Sequence, residues 1–126
     1  MTNTIILNLE NKIHGYHTRM KELHFAAPSV SLHKIIDDFD GELCEFDDEI
    51  MEEAQAIFGF IEPGDIQPVL PEAIEFEALL VEIREALAEF LESIEGSATW
   101  TGIRSETESF WHTLNKTVYL TKITKK

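Results

Sequence analysis

Residues Val30–Phe58 read VSLHKIIDDFDGELCEFDDEIMEEAQAIF, and the architecture follows from this run. Leu32, Ile35, Ile36, Phe39, Leu43, Phe46, Ile50, Ala54 and Ile57 recur every three or four residues. That spacing draws one apolar stripe along a helix of about 45 Å. Pro28 and Ser29 break whatever precedes it and offer a cap, and Gly59 ends it. Beside the stripe, His33 and Asp37 stand four residues apart, as do Asp48 and Glu52. At about 100° per residue these four side chains occupy an arc of roughly 100° that flanks the apolar stripe, so they border an interface. Asp37 and Asp48 lie about 16 Å apart along the axis, too far for one chain to close both pairs on a single ion. Two antiparallel copies of the helix can do so, with His33 and Asp37 of one facing Asp48 and Glu52 of the other. A twofold axis would then cross the helix near Glu42 and Leu43.

Three more helices frame this one. From about 5 to 26, Ile6, Leu9, Ile13, Met20 and Leu23 carry helical spacing. Residues 60–70 hold Pro63-Gly64, Asp65 and Pro68, the composition of a crossover loop. Pro71 suits the first turn of a third helix over about 71–95, with Ile74, Leu79, Ile83, Leu87, Phe90 and Ile94 inward and Gly96 as the stop. A fourth helix spans about 102–123, where Ser105 and Glu108 have capping-box spacing. No strand pattern or internal repeat appears. The reading is an all-α, single-domain, up-and-down four-helix bundle over residues 1–126, with a long crossover between helices two and three.

Composition narrows the function classes. Net charge is −14, and twenty of the twenty-four acidic residues lie between Asp37 and Glu95. Such a surface favours cations and argues against DNA, whose binding depends on Lys and Arg neutralising phosphates. Lys116, Lys122, Lys125 and Lys126 are too sparse to change that. No run of 18 apolar residues is long enough for a membrane span, and Thr4-Ile5-Ile6-Leu7 is too short for a signal-peptide core. The single cysteine, Cys44, cannot form an intramolecular disulfide, which suits a cytoplasmic setting.

Imidazole with carboxylates and no thiolate cluster suits iron, manganese or zinc. His24 closes the first helix nine residues before His33, across the Pro28 turn, and can complete a site with His33 and Asp37. A solvated acidic face would carry similar pairs, since Asp38, Asp40, Glu42, Glu45, Asp47, Glu49 and Glu53 crowd the same helix. His14 and His17 share a face with His24 and read as polar side chains satisfied by hydrogen bonds inside the bundle. Glu108 and His112, four apart on the fourth helix, form a weaker candidate pair that His17 could join. No Glu-x-x-His occurs, so the signature of an intra-bundle di-iron site is missing. Phe110 and Trp111 read as core.

The segment His24-Phe25, Leu32-His33, Asp37, Asp48, Glu52 resembles the Dps family, the miniferritins of the ferritin-like superfamily. The intervals of four, eleven and four residues after His33 match that family's motif, while Phe25 stands where a Trp is usual and the first interval is contracted. The resemblance implies a ferritin-like bundle and a metal site between two subunits. His24, His33 and Asp37 would come from one subunit and Asp48 and Glu52 from its twofold partner. It also implies Fe(II) oxidation by peroxide or O₂, with a homodimer or a larger cage storing iron. The rival expectation is a non-catalytic helical interaction or scaffold protein that keeps the bundle without metal oxidation.

Overall fold

The computed structural model describes residues 3–124 of the 126-residue chain; Lys125 and Lys126 lie outside the described residues. Four helices form: α1 (Thr4–Ala26), α2 (Val30–Phe58), α3 (Phe76–Ser93) and α4 (Thr101–Ile123), the last entered through a 3-10 turn at Ala98–Trp100. There is no strand among the described residues. None of these helices is long and apolar enough to cross a membrane.

Local chemistry fixes the ends. The Asn3 side chain accepts the Ile5 amide at 2.7 Å, and Ser29 Oγ accepts the Leu32 amide at 3.1 Å. Each satisfies an N–H that the first turn leaves without an intrahelical partner, worth about 1 kcal/mol. Gly59 closes α2 at φ 99°, a left-handed conformation that a side chain would resist. The bounds of α2 are those expected from its sequence.

α1 and α2 are antiparallel neighbours, α2 packs on α4, α4 on α3, and α3 back on α1. The long crossover carries the chain from the end of α2 back along α1. The Asn11 side chain accepts the Gln67 amide at 2.8 Å, and its carbonyl accepts the Val69 amide at 2.9 Å. Gly15 is packed so tightly under the Val69 carbonyl that a Cβ there would overlap it. Further on, Arg19 donates to the Ala73 carbonyl at 2.6 Å. α3 therefore starts beside the start of α2, where Phe76 meets Phe39 edge-on with ring centroids 6.0 Å apart. α1 and α4 run one way, α2 and α3 the other.

The core runs the length of the bundle. Ile6, Leu9, Ile13 and Met20 face Ile36, Phe39, Leu43 and Ile50 across the axis from Leu79, Ile83, Leu87, Ile103 and Leu114. Phe46 and Phe110 stack with centroids 4.6 Å apart, and Phe58, Phe90 and Trp100 close the far end. Thr107, Thr117 and Thr121 are buried with their hydroxyls donating to carbonyls one turn back. Burial of these side chains, at about 1.5–3 kcal/mol each, dominates the stability of such a fold.

Three boundary expectations change. α3 begins at Phe76 rather than Pro71, because the Ala73 amide donates to Glu82 at 3.1 Å while its carbonyl serves Arg19. Those side chains take the backbone groups a helix would need, and Ile74 consequently points out instead of in. α3 ends at Ser93; Arg104 then takes the carbonyls of Ile94 and Ser97 at 2.6 and 3.1 Å, and Gly96 turns at φ 77°. α4 starts at Thr101 with Ser105 already inside it, so no capping box forms; Trp100 anchors that end by packing. Ile57, on the expected stripe, is half exposed in the last turn of α2.

Candidate metal centre

The α1/α2 seam gathers most of the chain's histidines. At its turn end, His24 and His33 lie with ring centroids 3.7 Å apart, and His24 Nδ1 is 3.9 Å from an Asp37 carboxylate oxygen. His33 donates its Nδ1–H to the His24 carbonyl at 2.9 Å. That bond fixes the tautomer and leaves Nε2 as a free lone pair, the way metal-binding histidines are oriented by a backbone acceptor. His24 Nδ1 is buried without any hydrogen-bond partner. Asp37 remains largely exposed. The sequence-predicted trio thus comes together, with donors left over.

Asp48 and Glu52 do not join them. They lie further along α2, on the wall of an open groove of about 550 Å³ between α2 and α4. Glu42, Glu45, Glu49 and Glu106 line the same groove with Phe46, Ser109, Phe110 and Thr113. Six carboxylates around one groove set a strong negative potential there. Burial raises the nearby Glu53 carboxyl above its usual range, with the Glu106 and Glu49 charges adding to the shift. Within one chain the five motif residues form two separate half-sites, as the axial spacing requires.

Midway along the seam stand two groups that the motif does not contain. His17 Nδ1 lies 2.7 Å from a carboxylate oxygen of buried Asp40, and Cys44 Sγ is 3.8 Å from the same nitrogen. Burial raises the Cys44 thiol pKa, with Asp40, Asp47 and Asp48 adding to it. One to two turns away, His14 Nε2 is 3.2 Å from Glu10 Oε1 and 3.8 Å from Asp47 Oδ2. Both sets bring their donor atoms within 4.8 Å of one another, close enough to hold a metal ion. Glu10 is only 1 % exposed, yet its Oε2 and the buried Asp47 Oδ1 have no hydrogen-bond partner. Burial, then a hydrogen bond to Asp47 and the charges of Asp47 and Asp48, push the Glu10 pKa from 4.5 up to about 10. That hydrogen bond exists only while one of the two carboxyls carries a proton; with both ionised, neither oxygen has a donor.

His14 and His17 are therefore hydrogen-bonded, as expected, but at the α1/α2 seam and to carboxylates. Glu10, Asp40, Cys44 and Asp47 were not singled out from the sequence, although a signal existed. Glu10, His14 and His17 repeat at helical spacing on α1, as do Asp40, Cys44 and Asp47 on α2. Glu10 is also the lone acid in the first twenty residues. On α4, Glu108 and His112 share a shallow pocket with Leu91 and Trp111, and among the described residues no third metal-type donor stands within reach. His17, engaged with Asp40, is remote from them in the contact order of the bundle.

Compared with known proteins, the chain matches no family model, no curated protein and no solved structure.

Proposed function

We propose that this protein binds Fe(II) on the outer face of α1 and α2 and oxidises it at a site completed by a second copy of the chain. The observation that carries the reading is the half-site at the α1/α2 turn. There His33 is held by a backbone carbonyl with Nε2 free, and His24 keeps a buried, unpartnered Nδ1 beside Asp37. Two imidazoles and one carboxylate are a donor set that first-row divalent metals accept, and they leave coordination positions open. Asp48 and Glu52, exposed on the same helix and held apart from the trio, are the complement that an antiparallel copy would supply.

In this reading iron is the substrate. Two Fe(II) ions each give up one electron, and a peroxide takes both electrons with two protons to leave as two waters. The protein's part is to hold the ions together with neutral imidazoles and to supply carboxylates that favour the higher charge of the product. The acidic groove between α2 and α4 raises the local cation concentration. Storage in a larger cage extends the proposal; zinc or manganese would occupy the same donors without the oxidation.

Variants separate this reading from its rival, a bundle that binds partners or metal without oxidising iron. Oxidation by His33→Ala and by Asp48→Ala should each fall to background when Fe(II) is mixed with peroxide and ferric absorbance is followed. Combining the two variants under conditions of subunit exchange should restore roughly a quarter of the sites, because random pairing rebuilds one intact site in half of the dimers. Failure to recover after proven exchange contradicts the shared site. Stoichiometric Fe(II) binding without oxidation in the unaltered protein favours the scaffold reading.

A further inference from the structure

The middle of the α1/α2 seam carries a second centre that uses none of the five residues above. We infer that Glu10, His14 and Asp47 form a binding site for one divalent first-row metal ion within a single chain. Three observations converge on it. The donors are mixed, one imidazole nitrogen and two carboxylates, and they come from facing helices rather than from one exposed acidic run. Glu10 is 1 % exposed, and two of the carboxylate oxygens, Glu10 Oε2 and Asp47 Oδ1, are buried without a partner. The remaining contacts, 3.2 Å from His14 Nε2 to Glu10 and 3.8 Å to Asp47, are already near those of a coordination shell. Ligands about 2.1 Å from a common ion stand roughly 3–3.4 Å from one another, so only a small closure is needed.

Electrostatics point the same way. When both are ionised, two carboxylates desolvated side by side repel each other and lack donors; a dication between them removes both penalties at once. Oxygen and imidazole donors without a thiolate select manganese, iron or zinc over softer ions. His14 is about 40 % exposed while Glu10 is sealed in, so the ion enters from the imidazole side and the carboxylate of α1 forms the floor. The neighbouring His17, Asp40 and Cys44 do not form the same kind of centre. There a single 2.7 Å contact already pairs the imidazole with the carboxylate, and no oxygen or nitrogen is left buried and unpartnered.

The test is calorimetric titration of the full chain with Zn(II), which reads binding without any redox step. The unaltered protein is compared with Glu10→Gln, with Asp47→Asn, with Cys44→Ser and with the double variant His33→Ala/Asp48→Ala. One equivalent per chain should persist in Cys44→Ser and in the double variant. Its affinity should fall by about a hundredfold or more in Glu10→Gln and Asp47→Asn, at the upper end of what loss of even an indirect metal contact causes. Helical circular dichroism of the apo variants shows whether they are folded, and His14→Ala, whose side chain reaches solvent, serves in place of one that is not. Unchanged stoichiometry and affinity in folded Glu10→Gln and Asp47→Asn overturn the inference. So does loss of all Zn(II) binding in the double variant alone. Iron oxidation that persists in the double variant, or is absent from the unaltered protein, with this equivalent intact counts instead against the shared site only.

Discussion

The α1/α2 face holds two clusters of the same residue types in opposite states. At the turn, His33 is held from behind by the His24 carbonyl, His24 keeps an unpartnered nitrogen, and Asp37 is well exposed. In mid-seam, Glu10 is sealed from water, with part-buried Asp47 and half-exposed His14 standing over it. Under the proposed function the first cluster is completed by a second chain; the second cluster has its donors within one chain. Exposure decides the difference. An open carboxylate is satisfied by water whatever its neighbours do, whereas a buried one must find a proton, a donor or a metal.

That contrast predicts where substitutions will be felt. The largest effect is functional: under the proposed function, His33→Ala at the turn and Asp48→Ala further along α2 each remove iron oxidation while leaving the bundle folded, as a stopped-flow trace beside a melting curve would register. Mid-seam effects fall on stability. His17→Ala strands the buried Asp40 carboxylate, and chemical denaturation should report a loss of about 2 kcal/mol. A smaller gain is expected from Glu10→Gln in the apo protein, roughly 1 kcal/mol at slightly alkaline pH, because buried Glu10 must take up a proton on folding there whereas an amide is already neutral.

The Glu10 pKa is raised on folding, so its contribution is fully present below 4.5 and is lost as the pH climbs towards about 10. Melting temperatures across that window should fall more steeply for the unaltered chain than for Glu10→Gln. Saturating Zn(II) should invert the order of the two proteins, since an ion at a hundred times its dissociation constant adds about 2.7 kcal/mol to the one that binds it. The smallest change is Asp37→Ala, within about 0.5 kcal/mol by denaturation, because its carboxylate already faces water. A large destabilisation there would erase the distinction between the two clusters.

Much of the fold was legible because α2 states it twice, once in its apolar stripe and once in the Ser29 and Gly59 ends. α3 was harder to bound. Its apparent first turn, Pro71 to Glu75, has helical composition but gives its backbone bonds to Arg19 and Glu82, partners distant in sequence. Ile74 was misplaced for the same reason. At the candidate site, the clustering of His24, His33 and Asp37 could be read from spacing within two adjoining helices. Glu10 with Asp47 could not, since α2 presents ten carboxylates and nothing local marks the one that α1 will bury. Only the register of α1 against α2 distinguishes Asp47 from its exposed neighbour Asp48.

Anomalous scattering from crystals soaked in Zn(II) tests the central claim most directly, that this face holds metal in two different ways. One peak is expected inside a chain, between Glu10, His14 and Asp47, and another bridging His24, His33 and Asp37 of one copy to Asp48 and Glu52 of a second. Crystals of well-ordered protein with no peak anywhere along the α1/α2 seam would contradict it.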